Sequence, residues 1–236
     1  MNKHFKEMNE RFNVEMFESL VWYCAKLQGT ISPETWELII AFCFDGTWIG
    51  GNKYMADVLV EILKSGLTVK SVKKQLTKGL FQTIQCVESR IPIDNEDLLS
   101  DEEKGREAIQ IFVQKREESF NTFGLTKMYK CLVVHYREDD YYYARLFFEE
   151  QAKYEEMDLV WTGDNAKPKG HKKNDPWIVK RNHGNASAYQ TCFWSKKKYD
   201  KTTAISDIEV YSPFEFKLDP AKIMKEYAEQ KYAKVQ

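Results

Sequence analysis

The chain lacks several signatures that would have assigned it a class at once. No run of about 18 apolar residues is present, the length a helix needs to span a bilayer, so no membrane helix is expected. The N-terminal MNKHFKEMNERF is polar and carries no apolar signal-peptide stretch. The five cysteines, Cys24, Cys43, Cys86, Cys131 and Cys192, form no CxxC pair. That odd, scattered set argues against a disulfide framework and for a reducing, cytoplasmic setting. No GxxxxGK[ST] loop cradles a phosphate, since Gly46 to Asn52 has the wrong spacing, and no GxSxG elbow presents a serine nucleophile. His171 and His183 have no second His or Cys at zinc-ligand spacing, and His135, in an apolar run, reads as a core histidine. Neither sign of charge prevails, with 35 basic and 36 acidic residues and a net charge of -1.

What is present is a 236-residue chain with 43% hydrophobic and 14% aromatic residues, enough for one sizeable core, and no internal repeat. Phe12, Met16, Leu20, Tyr23 and Leu27 recur at helical spacing and predict a helix over 8–28, stopped by Gly29. Ser32-Pro33-Glu34 is a helix start, predicting a buried helix to about Cys43. Two short strands follow, with Gly66 read as their tight turn, then a helix over 76–89 ended near Pro92 and an amphipathic helix over 103–120. The segments 130–136 and 141–148 are β-rich and separated by Arg-Glu-Asp-Asp, a hairpin signal. From about 153 to 202 the chain reads as a long basic loop, with a closing strand near 214–218 and a C-terminal helix from Pro220. This order predicts a single α/β domain with a mixed central β-sheet flanked by helices. N-terminal helices would occupy 1–45, a core 50–150 and the basic segment 153–202.

The first strand carries Asp57 and the second Lys70. Carboxylates suit Mg²⁺, which prefers oxygen ligands and keeps several waters. A lysine beside such a site can orient a water or stabilise charge on a phosphate. A solvated edge hairpin would also carry Asp and Lys, since edge lysines guard against strand pairing.

Ala56-Asp57-Val58-Leu59-Val60 followed by Gly66-Leu67-Thr68-Val69-Lys70-Ser71 resembles the PD-(D/E)-x-K nuclease superfamily, most closely its type II restriction endonucleases. The resemblance covers about 25 residues. It implies a restriction-endonuclease-like core, an Mg²⁺ cofactor, cleavage of double-stranded DNA, and a homodimer to match a symmetric site. Asp57 matches the first position of the motif and Lys70 the last, while Thr68 stands where the second acid belongs. Some members of the family supply that acid from the following helix. On that pattern Glu88 is the expected partner of Asp57, with Glu61 and Glu18 as alternatives.

Between Lys167 and Lys201 lie ten Lys or Arg and two acids, a concentration suited to a polyanion. Lys172, Lys173, Lys180, Arg181, Lys196, Lys197 and Lys198 are candidates for phosphate contacts. Asn182, His183, Asn185, Gln190 and Ser195 are candidates for base edges. Two other readings stay open: a non-catalytic nucleic-acid-binding protein whose motif has degraded at Thr68, and a protein-interaction module using the acidic 94–118 region.

Overall fold

The computed structural model describes residues 3–28, 30–50, 54–73, 83–87, 98–138, 141–151, 153–156, 158–163, 165–170, 177–183, 186–195, 206–211, 221–222 and 225. Helices α1 (Lys3–Arg11), α2 (Val14–Gln28) and α3 (Pro33–Cys43) precede strands β1 (Thr47–Trp48), β2 (Val58–Val60), β3 (Ser65–Lys73) and β4 (Thr83–Val87). Helix α4 (Asp101–Phe123) leads to β5 (Lys127–Glu138), β6 (Tyr141–Glu150), β7 (Leu159–Thr162), β8 (Asn165–Pro168), β9 (Trp177–His183), β10 (Ala186–Ser195) and β11 (Ser206–Tyr211). The architecture is mixed α/β. A six-stranded sheet runs β1-β2-β3-β5-β6-β11, with β3 and β5 parallel and the other pairs antiparallel. A five-stranded antiparallel sheet runs β4-β10-β9-β8-β7.

Two cores follow from the alternation of strand side chains between faces. Leu67, Val69, Cys131 and Val133 pack with Phe17, Leu20, Trp36, Ile39 and Ile40 of the N-terminal helices. A second cluster joins Ala108, Ile111 and Phe112 of α4 to Met55, Ala56 and Met128 and to Leu159 and Trp161 of β7. Helices thus flank the six-stranded sheet, and α4 carries the connection between its two parallel strands. Among the described residues, Cys24, Cys43 and Cys131 are free and buried, and no helix is long and apolar enough to cross a membrane.

The expected 8–28 helix is two helices. Asn13 divides them: its Oδ1 accepts from Met16 N–H at 3.0 Å, capping α2, and its own N–H donates to Cys43 O at 2.9 Å. Helix α3 starts as its sequence signals, with Ser32 Oγ accepting from Thr35 N–H at 3.2 Å and Pro33 in the first turn. Helix α4 opens on a full capping box, Ser100 with Glu103, and closes on Gly124 at φ 61°, a left-handed conformation glycine adopts without penalty. Ser100→Ala is expected to cost about 1 kcal/mol, read as a lower urea midpoint at unchanged slope.

Other expectations are corrected. The turn between β2 and β3 is a 3-10 turn, Glu61–Leu63, completed by Lys64 at φ 46°. Gly66 lies inside β3, where a Cβ would come within 2.9 Å of Leu125 Cδ1 and 3.1 Å of Ala56 Cβ. The stretch expected as a helix over 76–89 contains strand β4, Thr83–Val87, paired with β10. The segment read as a basic loop over 153–202 holds four strands, β7 to β10. Strand β11 covers Ser206–Tyr211, and the closing strand expected near 214–218 lies outside the described residues.

Candidate active site

Asp57 is held by the backbone on both sides before β2 begins. Its N–H donates to Leu67 O at 2.8 Å, and its carbonyl accepts from Ile49 N–H at 2.9 Å. Strand β2 pairs with β3 only from Ser65 to Leu67, so β3 runs on toward Lys73 beyond its antiparallel neighbour. At that opening the Asp57 carboxylate substitutes for a strand: Oδ2 accepts from Val69 N–H at 2.8 Å. The same oxygen lies 3.6 Å from Lys70 Nζ, with the two side chains 19% and 23% exposed, so the pair is largely but not wholly withdrawn from solvent. Burial pushes the Asp57 carboxyl above its ordinary range, against the opposing pull of Lys70 and the Val69 N–H.

Thr68, where the resemblance would put a second acid, is turned inward. It is buried, and its Oγ1 donates to Met55 O at 2.6 Å. The hydroxyl ties β3 to the segment leading into Asp57, and the side chain is turned into the protein.

The second carboxylate at this opening is one that sequence reasoning missed, Glu37 of α3. Burial raises its pKa most, the negative charge of Asp57 raises it further, and a Trp48 hydrogen bond and the Lys70 charge oppose the rise. Trp48 Nε1–H donates to Glu37 Oε2 at 2.9 Å. Glu37, Asp57 and Lys70 therefore form one electrostatic cluster drawn from α3, the start of β2, and β3. The sequence held one signal for it: Glu37 is the sole charged residue from Trp36 to Cys43, and a carboxylate retained among apolar neighbours carries a desolvation cost.

The alternatives expected from the sequence sit elsewhere. Glu61 begins the 3-10 turn, beyond the far end of β2 from Asp57, and accepts from Thr47 Oγ1 at 2.6 Å. Glu18 is on α2, which packs chiefly on α3 and over β11 and β6, toward the sheet edge opposite β1 and β2. Glu88 lies outside the described residues. Of the nucleic-acid candidates, Lys180, Arg181, Asn182 and His183 lie on β9, with Gln190 and Ser195 on β10. Ala188 pairs with Arg181 and Tyr189 with Lys180 across that hairpin. Lys172, Lys173, Asn185, Lys196, Lys197 and Lys198 lie outside the described residues.

Among the described residues no group of three or more His, Cys, Asp or Glu is placed to hold a metal ion. What the opening offers is two carboxylates and a lysine. Set against known proteins, the chain matches no family model, no curated protein and no solved structure.

Proposed function

We propose that the chain is an Mg²⁺-dependent, sequence-specific endonuclease of double-stranded DNA, of restriction type. The observation that carries this reading is the Asp57–Lys70 pair, 3.6 Å apart where β3 outruns β2, with Glu37 of the neighbouring α3 close enough to feel both charges. Two mutually repelling carboxylates fit a hard divalent cation, and they supply only hard oxygen donors. Two is also the number that leaves room for waters and substrate phosphates in Mg²⁺ coordination. Asp57 and Glu37 are the residues that would hold such an ion, whose chemistry there would be a lowered water pKa and a counter-charge for phosphate.

The chain's own groups do the rest. Lys70, 3.6 Å from the Asp57 carboxylate, would orient a water or donate to a phosphate oxygen. Asp57 is fixed by its Val69 hydrogen bond and by backbone bonds on both sides, so its position costs little further ordering. The β9–β10 hairpin, with Lys180, Arg181, Asn182, His183, Gln190 and Ser195, is the surface proposed for DNA. A homodimer would present two such sites to a symmetric sequence.

Lys70→Ala is expected to lower Mg²⁺-dependent nicking of plasmid by about 10²–10³-fold, while DNA binding in chelator stays near wild type. Equal nicking by the mutant would remove Lys70 from the chemistry. The competing reading, a binding protein with a degraded motif, draws on the burial of Thr68. It expects no cleavage by wild type or mutant, with binding that falls steeply as salt rises.

A further inference from the structure

Trp48 stands beside the cluster rather than in it, and its attachments are unusual. Strand β1 pairs with β2 so that Trp48 faces Val58, the residue after Asp57. The next residue, Ile49, donates its N–H to the Asp57 carbonyl. The indole then reaches across to α3 and donates to Glu37 Oε2 at 2.9 Å. One residue thereby links the backbone that carries the first carboxylate to the side chain that carries the second. Trp48 is 37% exposed, so burial alone does not explain the placement.

Gly50 adds an independent observation. A Cβ on that residue would overlap both Trp48 Nε1 and Glu37 Oε2, so any larger residue there forces one of the two hydrogen-bonded groups to move. The chain passes directly over the bond and leaves it just enough room.

We infer that Trp48 is a positioning residue for Glu37, fixing the carboxylate toward the divalent-cation site, and that Gly50 is required for that bond. The inference rests on the reading of Glu37 and Asp57 as the cation ligands. Glu37 hangs from a flexible side chain on a helix, whereas Asp57 is anchored by three hydrogen bonds. An indole donor fixes the rotamer through one carboxylate oxygen, Oε2. Groups that orient a ligand in this way typically govern metal affinity by about 10–100-fold.

The test is calorimetric titration of the full chain with Mg²⁺, comparing wild type with Trp48→Phe, Gly50→Ala and Glu37→Gln, each checked for its melting temperature. Trp48→Phe keeps an aromatic ring on an exposed strand, and its Mg²⁺ affinity is expected to fall about tenfold with little change in melting. Gly50→Ala should give a similar loss, and the double variant less than the product of the two. Mg²⁺ should also perturb a component of the indole emission that vanishes in Trp48→Phe and in Glu37→Gln. If Glu37→Gln loses affinity while Trp48→Phe and Gly50→Ala bind as wild type does, the positioning role is overturned and the cation site stands. If Glu37→Gln itself binds with wild-type affinity, Glu37 is not a ligand and both fall.

Discussion

Asp57→Asn is expected to abolish Mg²⁺-dependent cleavage, by at least about 10²–10³-fold, and at the same time to stabilise the metal-free fold at neutral pH. The loss follows because the amide keeps an acceptor for the Val69 N–H but gives up the charge that binds a cation and holds Lys70. The gain follows from the sign of the carboxyl's shift. Burial raises the folded pKa of Asp57, and that of Glu37 rises with it. A carboxyl with a raised folded pKa contributes stability that is fully present below its unfolded pKa and is lost as pH rises through the folded value. Ionisation of the pair therefore weighs against the fold, and Asn removes one of the two groups, for a gain of roughly 0.5–2 kcal/mol. The metal-free wild type should melt higher at mildly acidic pH than at neutral pH as far as these two groups decide it, and Asp57→Asn should flatten that dependence. Mg²⁺ at about 100 times its dissociation constant should add about 2.7 kcal/mol to the wild type and almost nothing to the variant. Denaturant titrations at two pH values, with and without Mg²⁺, check all three statements.

Thr68→Glu, which would complete the PD-(D/E)-x-K pattern that the sequence resembles, is expected to damage the protein rather than improve it. The side chain at 68 is 2% exposed and its hydroxyl is bonded to the Met55 carbonyl. Glutamate cannot donate to that carbonyl in its ionised form and would bring a carboxylate into a packed interior. The expected cost is about 3–5 kcal/mol, the range for an uncompensated buried charge. A stable Thr68→Glu protein with tighter Mg²⁺ binding would mean that position 68 faces the cation site and that Glu37 is not its substitute. A measured loss of stability with cleavage reduced only in proportion to the folded fraction would support the burial argument.

The parts of this fold legible in the sequence are those fixed by local contacts. Helix α3 was readable from Ser32-Pro33, because the cap and the proline act within one turn. Strands β5 and β6 were readable from their β-rich runs and the intervening turn residues. Strand β4 was not. Leu76, Leu80, Ile84 and Val87 fit a helical period, while Thr83 to Val87 fits a strand equally well, and the choice was made by β10, about a hundred residues away. The same holds for β7 to β10, whose polar, lysine-rich sequence masks strand pairing that depends on partners in the sheet.

The candidate site divides in the same way. Asp57 and Lys70 were legible because a short hairpin joins them, even though the turn lies at Glu61–Lys64 rather than at Gly66. Glu37 was not, because its relation to Asp57 passes through the docking of α3 beside β1, β2 and β3. Apolar neighbours make its helix read as core, and Glu88, the acid expected from the sequence, lies outside the described residues.

The measurement that bears most directly on the central claim is digestion of plasmid DNA from several sources, some unmethylated, with Mg²⁺ or with chelator, by wild type and by Glu37→Gln. Discrete fragments that require Mg²⁺ and disappear with Glu37→Gln are the expected result. Plasmid left intact from every source, or fragments that persist in the Glu37→Gln protein, would contradict a cation site built from Asp57 and Glu37.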